Sequence, residues 1–307
     1  MASASIELVE VCPRDGLQSV KTFVPTDIKI KLIRDLYAAG LRRIEITSFV
    51  SSEALPQMKD AKEIVAAAKS LDGLDASVLV PTVRHAERAL AAGATHLVFV
   101  LSVSEAHNMS NVRRSPSESV SEYERLVAMM PAGIKLRLNV ATAFDCPMKG
   151  RIEEAAVLAL LADLVLIAPN AEVALCDTTG RASPSHVAHL FTLAKARFPT
   201  TARWAFHGHD TYGLGTANVF AAWQAAVNVI DASCAGLGGC PFAPGATGNV
   251  ATEDVVWMMD RMGVASGIDI ELLCGAAERI RLLPGAQTGG RVRDALASQR
   301  KLAIRAS

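Results

Sequence analysis

The stretch "PTDIKIKLIRDLYAAG", Pro25 to Gly40, lies between two short β-rich runs, "IELVEV" (Ile6–Val11) and "RRIEITSF" (Arg42–Phe49). Ile28, Leu32, Ile33, Leu36 and Tyr37 recur at helical spacing, with Thr26 placed to cap the helix and Gly40 placed to end it. Strand, helix and strand in that order predict two parallel strands joined by a covering helix. The order repeats along the chain. "ASVLV", "HLVFVLS", "KLRLNVA", "EVALCD", "RWAFHGH" and "VIDASCAG" are further strand candidates, and Thr82, Ser115–Pro116 and Ser183–Pro184 supply helix-start chemistry between them. Eight such units in roughly 250 residues fit a (β/α)8 TIM barrel. An open doubly wound sheet fits less well, since no dinucleotide fingerprint follows the first strand.

The barrel is expected over about residues 5–262, and "IELLCGAAERIRLL" falls in a small C-terminal helical extension over about 263–307. No linker composition separates the two, so residues 1–307 are read as one catalytic domain. Half of the residues are hydrophobic, which fills a sizeable core. With 31 basic and 31 acidic residues the formal net charge is +0, and no block of like charge stands out. That balance argues against nucleic-acid and anionic-membrane partners. The longest apolar run, "AAVLALLADLVLIA", is too short for a membrane span and contains Asp163. Six scattered cysteines without CxxC spacing read as free thiols, and no Lys or Arg precedes Arg14 to mark a targeting peptide; a cytoplasmic protein is expected.

In a barrel of this kind chemistry gathers at the C-terminal ends of the strands. Arg14 and Asp15 follow strand one, Glu45 lies in strand two, Arg137 and Asn139 in strand five, Asp177 ends strand six and His207 and His209 end strand seven. Residues two apart on a strand face the same side, so both histidines of "FHGHD" can reach one ion. Asp15 and the amide oxygen of Asn249 add oxygen donors, a set suited to Mg2+ or Mn2+ rather than structural zinc. The plainer reading is a pair of interior histidines satisfied by hydrogen bonds. Arg14 beside a metal-binding Asp15 can stabilise a developing enolate or alkoxide, or can simply be salt-bridged at the barrel mouth. Asp177 can act as a base, an orienting group or a helix cap, and Glu45 as a site carboxylate or the buried partner of Arg14. The loop "GLGGCPFAPGATGN" (Gly236–Asn249) carries Cys240 and is expected over the barrel mouth as a lid.

The segments "VEVCPRDGLQ", "IEITSFVSSEALPQM", "HGHDTYGLGTAN" and "AGLGGCPFAPGATGNVATEDVV" resemble the 3-hydroxy-3-methylglutaryl-CoA lyase family, metal-dependent TIM barrels related to isopropylmalate and homocitrate synthases. The resemblance implies retro-Claisen cleavage of a 3-hydroxy-3-methylglutaryl thioester to acetyl-CoA and acetoacetate. It assigns Asp15, His207, His209 and Asn249 to the metal, Arg14 to the enolate and Cys240 to proton transfer. Asp177 and Glu45 match further catalytic positions, and Gln18 and Arg137 substrate-binding ones. An acyl-CoA substrate is implied, and a homo-oligomer such as a dimer is expected.

Strand five, "LRLNVATAFDCPMKG", departs from the family pattern, so Asn139, Thr142, Phe144 and Asp145 are expected to alter one side of the mouth and the preferred C3 substituent. Asn108, Asn111, Arg113 and Arg114 are candidate CoA contacts. Two alternatives stay open: a related carbon–carbon lyase, aldolase or acyl-CoA condensing synthase on another hydroxy acid, and a non-catalytic metabolite-binding barrel.

Overall fold

The computed structural model describes residues 5–239 and 248–306. Eight strands among them close into a parallel barrel: β1 (Glu7–Glu10), β2 (Arg43–Ser48), β3 (Asp75–Leu79), β4 (His96–Ser102), β5 (Lys135–Ala141), β6 (Glu172–Asp177), β7 (Arg203–Gly208) and β8 (Val229–Ala232). Each strand pairs with its neighbours in sequence, and β1 closes the ring on β8 through the register Glu7↔Val229 to Glu10↔Ala232. The fold is the expected (β/α)8 TIM barrel. Its closure brings the two ends of the chain to one seam.

The outer layer comprises α1 (Thr26–Ala38), α2 (Ala61–Ala68), α3 (Val83–Ala91), α4 (Glu105–Val112), α5 (Pro116–Met129), α6 (Glu154–Ile167), α7 (Pro184–Arg197), α8 (Gly215–Gln224) and α9 (Thr252–Arg261). Thr82 and Ser183 cap their helices as expected, and Ser115 forms a reciprocal capping box with Glu118. Thr26 does not cap α1. Its hydroxyl instead meets Asp60 Oδ2 at 2.9 Å. The apolar face of α1 is also rotated from the expected one, because Ile28 is exposed and Lys29 is buried with its ammonium 2.9 Å from Asp60 Oδ1. A buried ion pair thus displaces a hydrophobic residue from the packed face. Gly40 ends the helix at φ +105, where a Cβ would lie 2.5 Å from the Gly267 carbonyl.

Two apolar cores follow from strand alternation. Leu8, Ile44, Ile46, Phe99, Leu138, Leu175 and Phe206 face outward beneath the helices, whereas Val9, Val11, Ala174, Cys176, Ala205 and Val229 form a small cluster inside the barrel. The rest of the interior includes a chain of buried charge. Arg43 binds Glu7 and Glu172, Arg137 binds Glu172 and Asp231, and Asp231 binds His207.

Past α9, α10 (Ile270–Arg281) is capped by the Asp269 carboxylate and rests against α1, where the Asp269 N–H donates to the Ala39 carbonyl at 2.8 Å. The last helix, α11 (Val292–Ala306), packs on α9 and α10. Among the described residues no helix is long and apolar enough to cross a membrane.

Candidate active site

The site begins where β1 stops. Pro13 cannot donate a backbone hydrogen bond, and the chain folds into a wide turn over Cys12–Gly16 in which the Val11 carbonyl accepts from the N–H groups of Asp15 (2.8 Å) and Gly16 (3.2 Å). This turn carries Arg14 and Asp15. Two strands around the ring, His207 and His209 continue the inward alternation of Ala205 at the end of β7, with ring centroids 5.2 Å apart. Gly208 between them is required by close packing, since a Cβ there would lie 2.7 Å from the Phe206 ring. Asn249 reaches the same place because its segment pairs with the end of β7: Asp210 N–H donates to the Gly248 carbonyl at 2.7 Å and Val250 N–H to the Gly208 carbonyl at 3.2 Å.

One ligand atom each from Asp15, His207 and His209 lies within 4.8 Å of the others. His207 Nδ1 meets Asp231 Oδ2 at 3.0 Å, which leaves Nε2 as its free nitrogen. His209 Nδ1 is buried with no hydrogen-bond partner. Burial, with His207 alongside, lowers the His209 pKa to about 4, so its ring is neutral near pH 7. Burial alone would raise the Asp15 carboxyl, but Arg14, both histidines and Asn249 pull it well below the usual carboxylate range. The Asp15 carboxylate, the neutral His209 ring with its unpartnered nitrogen and the His207 nitrogen opposite Asp231 form a set that fits a divalent cation. Asn249 meets Asp15 Oδ2 through its amide Nδ2 at 2.8 Å, and the same nitrogen donates to the Leu237 carbonyl at 3.2 Å.

Arg14 is buried against two carboxylates. Its Nε and one terminal nitrogen grip Glu45 at 2.8 and 2.9 Å, and the other terminal nitrogen lies 2.5 Å from Asp15 Oδ1. Burial opposes its charge, but Glu45 and Asp15 outweigh that cost and hold the guanidinium protonated. Glu45 is therefore the buried partner of Arg14. Arg137 is also buried, and its guanidinium is taken up by Asn139 Oδ1 (2.8 Å), Glu172 (3.2 Å) and both Asp231 oxygens (2.8 and 2.7 Å).

The other sequence candidates fall in different places. Gln18 is exposed, three residues beyond Asp15. Asp177 is fully buried; its Oδ2 accepts the Ala182 N–H at 3.2 Å and its Oδ1 has no partner. Burial raises its pKa to about 6 against the backbone N–H groups that stabilise its charge. Cys240 lies outside the described residues. On strand five Asn139 points inward to Arg137, but Phe144 packs among His186, Phe191 and Phe206 on the outer side, so it does not reshape the mouth. Asp145 holds Thr179 and Arg181 at 3.1 and 3.2 Å. Asn108 is fully buried, linking the Ser102 N–H to Arg114 and Ser119, and is not available to a nucleotide.

Two residues and one backbone conformation were not identified from sequence. Asp231 orients His207. Glu10 is fully buried on the outer side of the β1–β8 seam. Thr142, at the end of β5, adopts φ +53, rare for a β-branched residue, with its N–H 2.8 Å from Thr178 Oγ1 and its own hydroxyl accepting from the Ser104 N–H. An acid at an inward strand position was the available signal for Asp231.

The HMGL-like family model matches residues 5–280. The chain is 38% identical over 291 residues to the cytoplasmic 3-hydroxy-3-methylglutaryl-CoA lyase of Rattus norvegicus, covering 94% of this chain and 84% of the relative. It is 38% identical over 293 residues to the mitochondrial hydroxymethylglutaryl-CoA lyase of Arabidopsis thaliana, covering 95% of this chain and 62% of that protein. Among solved structures, an HMG-CoA lyase from Acinetobacter baumannii in complex with coenzyme A and 3-methylmalate superposes with a TM-score of 0.89 at 36% identity, covering 96% of each chain. The chain belongs to the HMGL-like family, and that kinship marks it as a carbon–carbon lyase.

Proposed function

We propose that the protein cleaves 3-hydroxy-3-methylglutaryl-CoA, or a close 3-hydroxy-3-alkylglutaryl-CoA, to acetyl-CoA and acetoacetate or the matching 3-oxo acid. The observation that carries this reading is the convergence of Asp15, His207 and His209, with Arg14 bound to Asp15, at the C-terminal end of the barrel. Asp15, His207, His209 and Asn249 would hold Mg2+ or Mn2+, which when bound supplies Lewis acidity to the substrate's hydroxyl and carboxylate oxygens. A CoA thioester is the substrate class because the HMG-CoA lyase of similar structure carries coenzyme A in its complex.

Asp231 holds the Nδ1 side of His207, so that Nε2 faces the donor set. Glu45 fixes the Arg14 guanidinium in one plane, leaving it a permanent charge for the thioester oxygen. In the reaction the C3 hydroxyl loses its proton, the C2–C3 bond breaks, and C3 becomes the ketone of the 3-oxo acid. The electron pair passes to the thioester enolate, which Arg14 stabilises until C2 is protonated. Asp177 is assigned to orienting the loop after β6, where its Oδ2 accepts the Ala182 N–H. Cys240 is assigned to proton transfer from the loop and Gln18 to substrate contact. Arg137 serves the substrate indirectly, by fixing Asp231. We assign the enzyme to the cytoplasm as a homo-oligomer.

A panel of 3-hydroxy-3-alkylglutaryl-CoA thioesters incubated with Mn2+ tests the reading: acetyl-CoA and a 3-oxo acid are expected from at least one. Failure with every thioester, alongside consumption of acetyl-CoA with a 2-oxo acid, would establish the condensing alternative instead.

A further inference from the structure

Glu10 interrupts an apolar strand, and the proposed chemistry does not use it. On β1 it alternates with Val9 and Val11, so its carboxylate points outward at the seam where β1 pairs with β8. An aliphatic side chain would fit such a place at no electrostatic cost. Glu10 is instead fully buried, and its burial raises its pKa to about 7 despite three hydrogen bonds that favour the charge. Those three bonds are what the acid contributes. Oε1 accepts the backbone N–H of Cys12 at 2.9 Å and that of Cys234 at 2.8 Å, while Oε2 accepts the Thr252 hydroxyl at 2.7 Å.

Each partner opens a segment that leads to the site. Cys12 begins the turn carrying Arg14 and Asp15. Cys234 begins the turn after β8, which ends at Leu237, whose carbonyl accepts from Asn249. Thr252 begins α9, three residues past Asn249. A single carboxylate therefore joins three backbone segments that carry Asp15 and Asn249 from opposite ends of the chain. The 2.8 Å contact between Asn249 and Asp15 lies on the far side of the same seam.

We propose that Glu10 is a positioning residue for the cation site, setting the separation of Asp15 and Asn249 by tying their backbone segments across the β1–β8 seam. This inference rests on the reading of Asp15, His207, His209 and Asn249 as cation donors. Glu10 itself touches neither the cation nor the substrate.

The test is Mn2+ binding, measured by titration well below the melting temperature of each variant. Glu10→Leu removes all three acceptor contacts and is expected to raise the Mn2+ Kd by about tenfold or more, the scale seen when groups behind metal ligands are lost. Glu10→Gln keeps one oxygen for the two N–H groups and turns its amide to Thr252 Oγ1, so it is expected to bind Mn2+ nearly as wild type does. If Glu10→Leu does not fold, Thr252→Val, which removes the Oε2 contact alone, takes its place with a smaller rise in Kd expected. A purely structural role would lower the melting temperature and leave Kd unchanged in folded protein. That outcome, with wild type binding Mn2+, overturns the role of Glu10 alone. Absence of Mn2+ binding by wild type overturns the cation site and this inference with it.

Discussion

Asp231 Oδ2 lies 3.0 Å from His207 Nδ1, and both side chains are buried. The same carboxylate is held by Arg137 through both oxygens, at 2.8 and 2.7 Å, so the imidazole is fixed by a group that is itself fixed. Asp231→Asn weakens that hold and removes the charge. It is expected to raise the Mn2+ Kd by about 10- to 100-fold. Nitrogen chemical shifts of His207 should show a mixed tautomer in place of one protonated at Nδ1. An unchanged Kd with an unchanged tautomer would remove Asp231 from the site.

Arg14 engages Glu45 and Asp15 with three nitrogens, a geometry that lysine cannot reproduce. Arg14→Lys is expected to lower kcat by about 10²–10³-fold, the usual scale for loss of an oxyanion donor, with a much smaller change in Mn2+ affinity. Steady-state kinetics alongside a metal titration separates the two effects. A loss confined to KM would assign Arg14 to ground-state binding only.

Arg137 neutralises Asp231 and Glu172 inside the barrel. Arg137→Leu leaves both carboxylates without that partner, and a stability loss of about 3–5 kcal/mol is expected in denaturant unfolding. Turnover should fall as well, because Asp231 loses the group that orients it. Full stability in this variant would mean that the interior charge chain can rearrange at little cost.

Glu253 gives the stability a pH dependence. Burial lifts its pKa from the ordinary 4.5 to about 8, opposed by the Ala235 N–H at 3.0 Å, while its other oxygen has no partner. Below pH 4.5 both folded and unfolded chains keep the proton. Between pH 4.5 and about 8 only the unfolded chain releases it, so this group makes stability fall as pH rises, by up to about 1.4 kcal/mol per pH unit. Glu253→Gln still accepts from Ala235 and should flatten that slope, raising the melting temperature relative to wild type at pH 8. Parallel curves for the two proteins would show that Glu253 is ionised in the folded state.

The barrel was legible because β-rich runs and capped helices alternate so regularly that eight parallel strands have few other arrangements. The "RD" and "HxH" pairs stood out because polar residues at strand ends are conspicuous against an apolar background. Glu10 and Asp231 were harder, since a lone acid in a strand reads as a solvent-facing position until the partner strand is known. Their meaning comes from the closure of β1 on β8, which no local pattern records. Ile28 and Lys29 exchange places for a similar reason: Asp60, from the next helical unit, makes burial of a lysine favourable. Phe144 was expected at the mouth because the run around it departs from the family pattern, yet the turn after β5 packs it against Phe206 outside the barrel.

The most direct test of the assigned chemistry is the cleavage of 3-hydroxy-3-methylglutaryl-CoA by wild-type protein, following both products before and after metal removal. Equal amounts of acetyl-CoA and acetoacetate are expected, lost on chelation, restored by Mn2+ and absent in folded His207→Ala. Equal turnover in the chelated protein, or in His207→Ala, would contradict the site built from Asp15, His207 and His209.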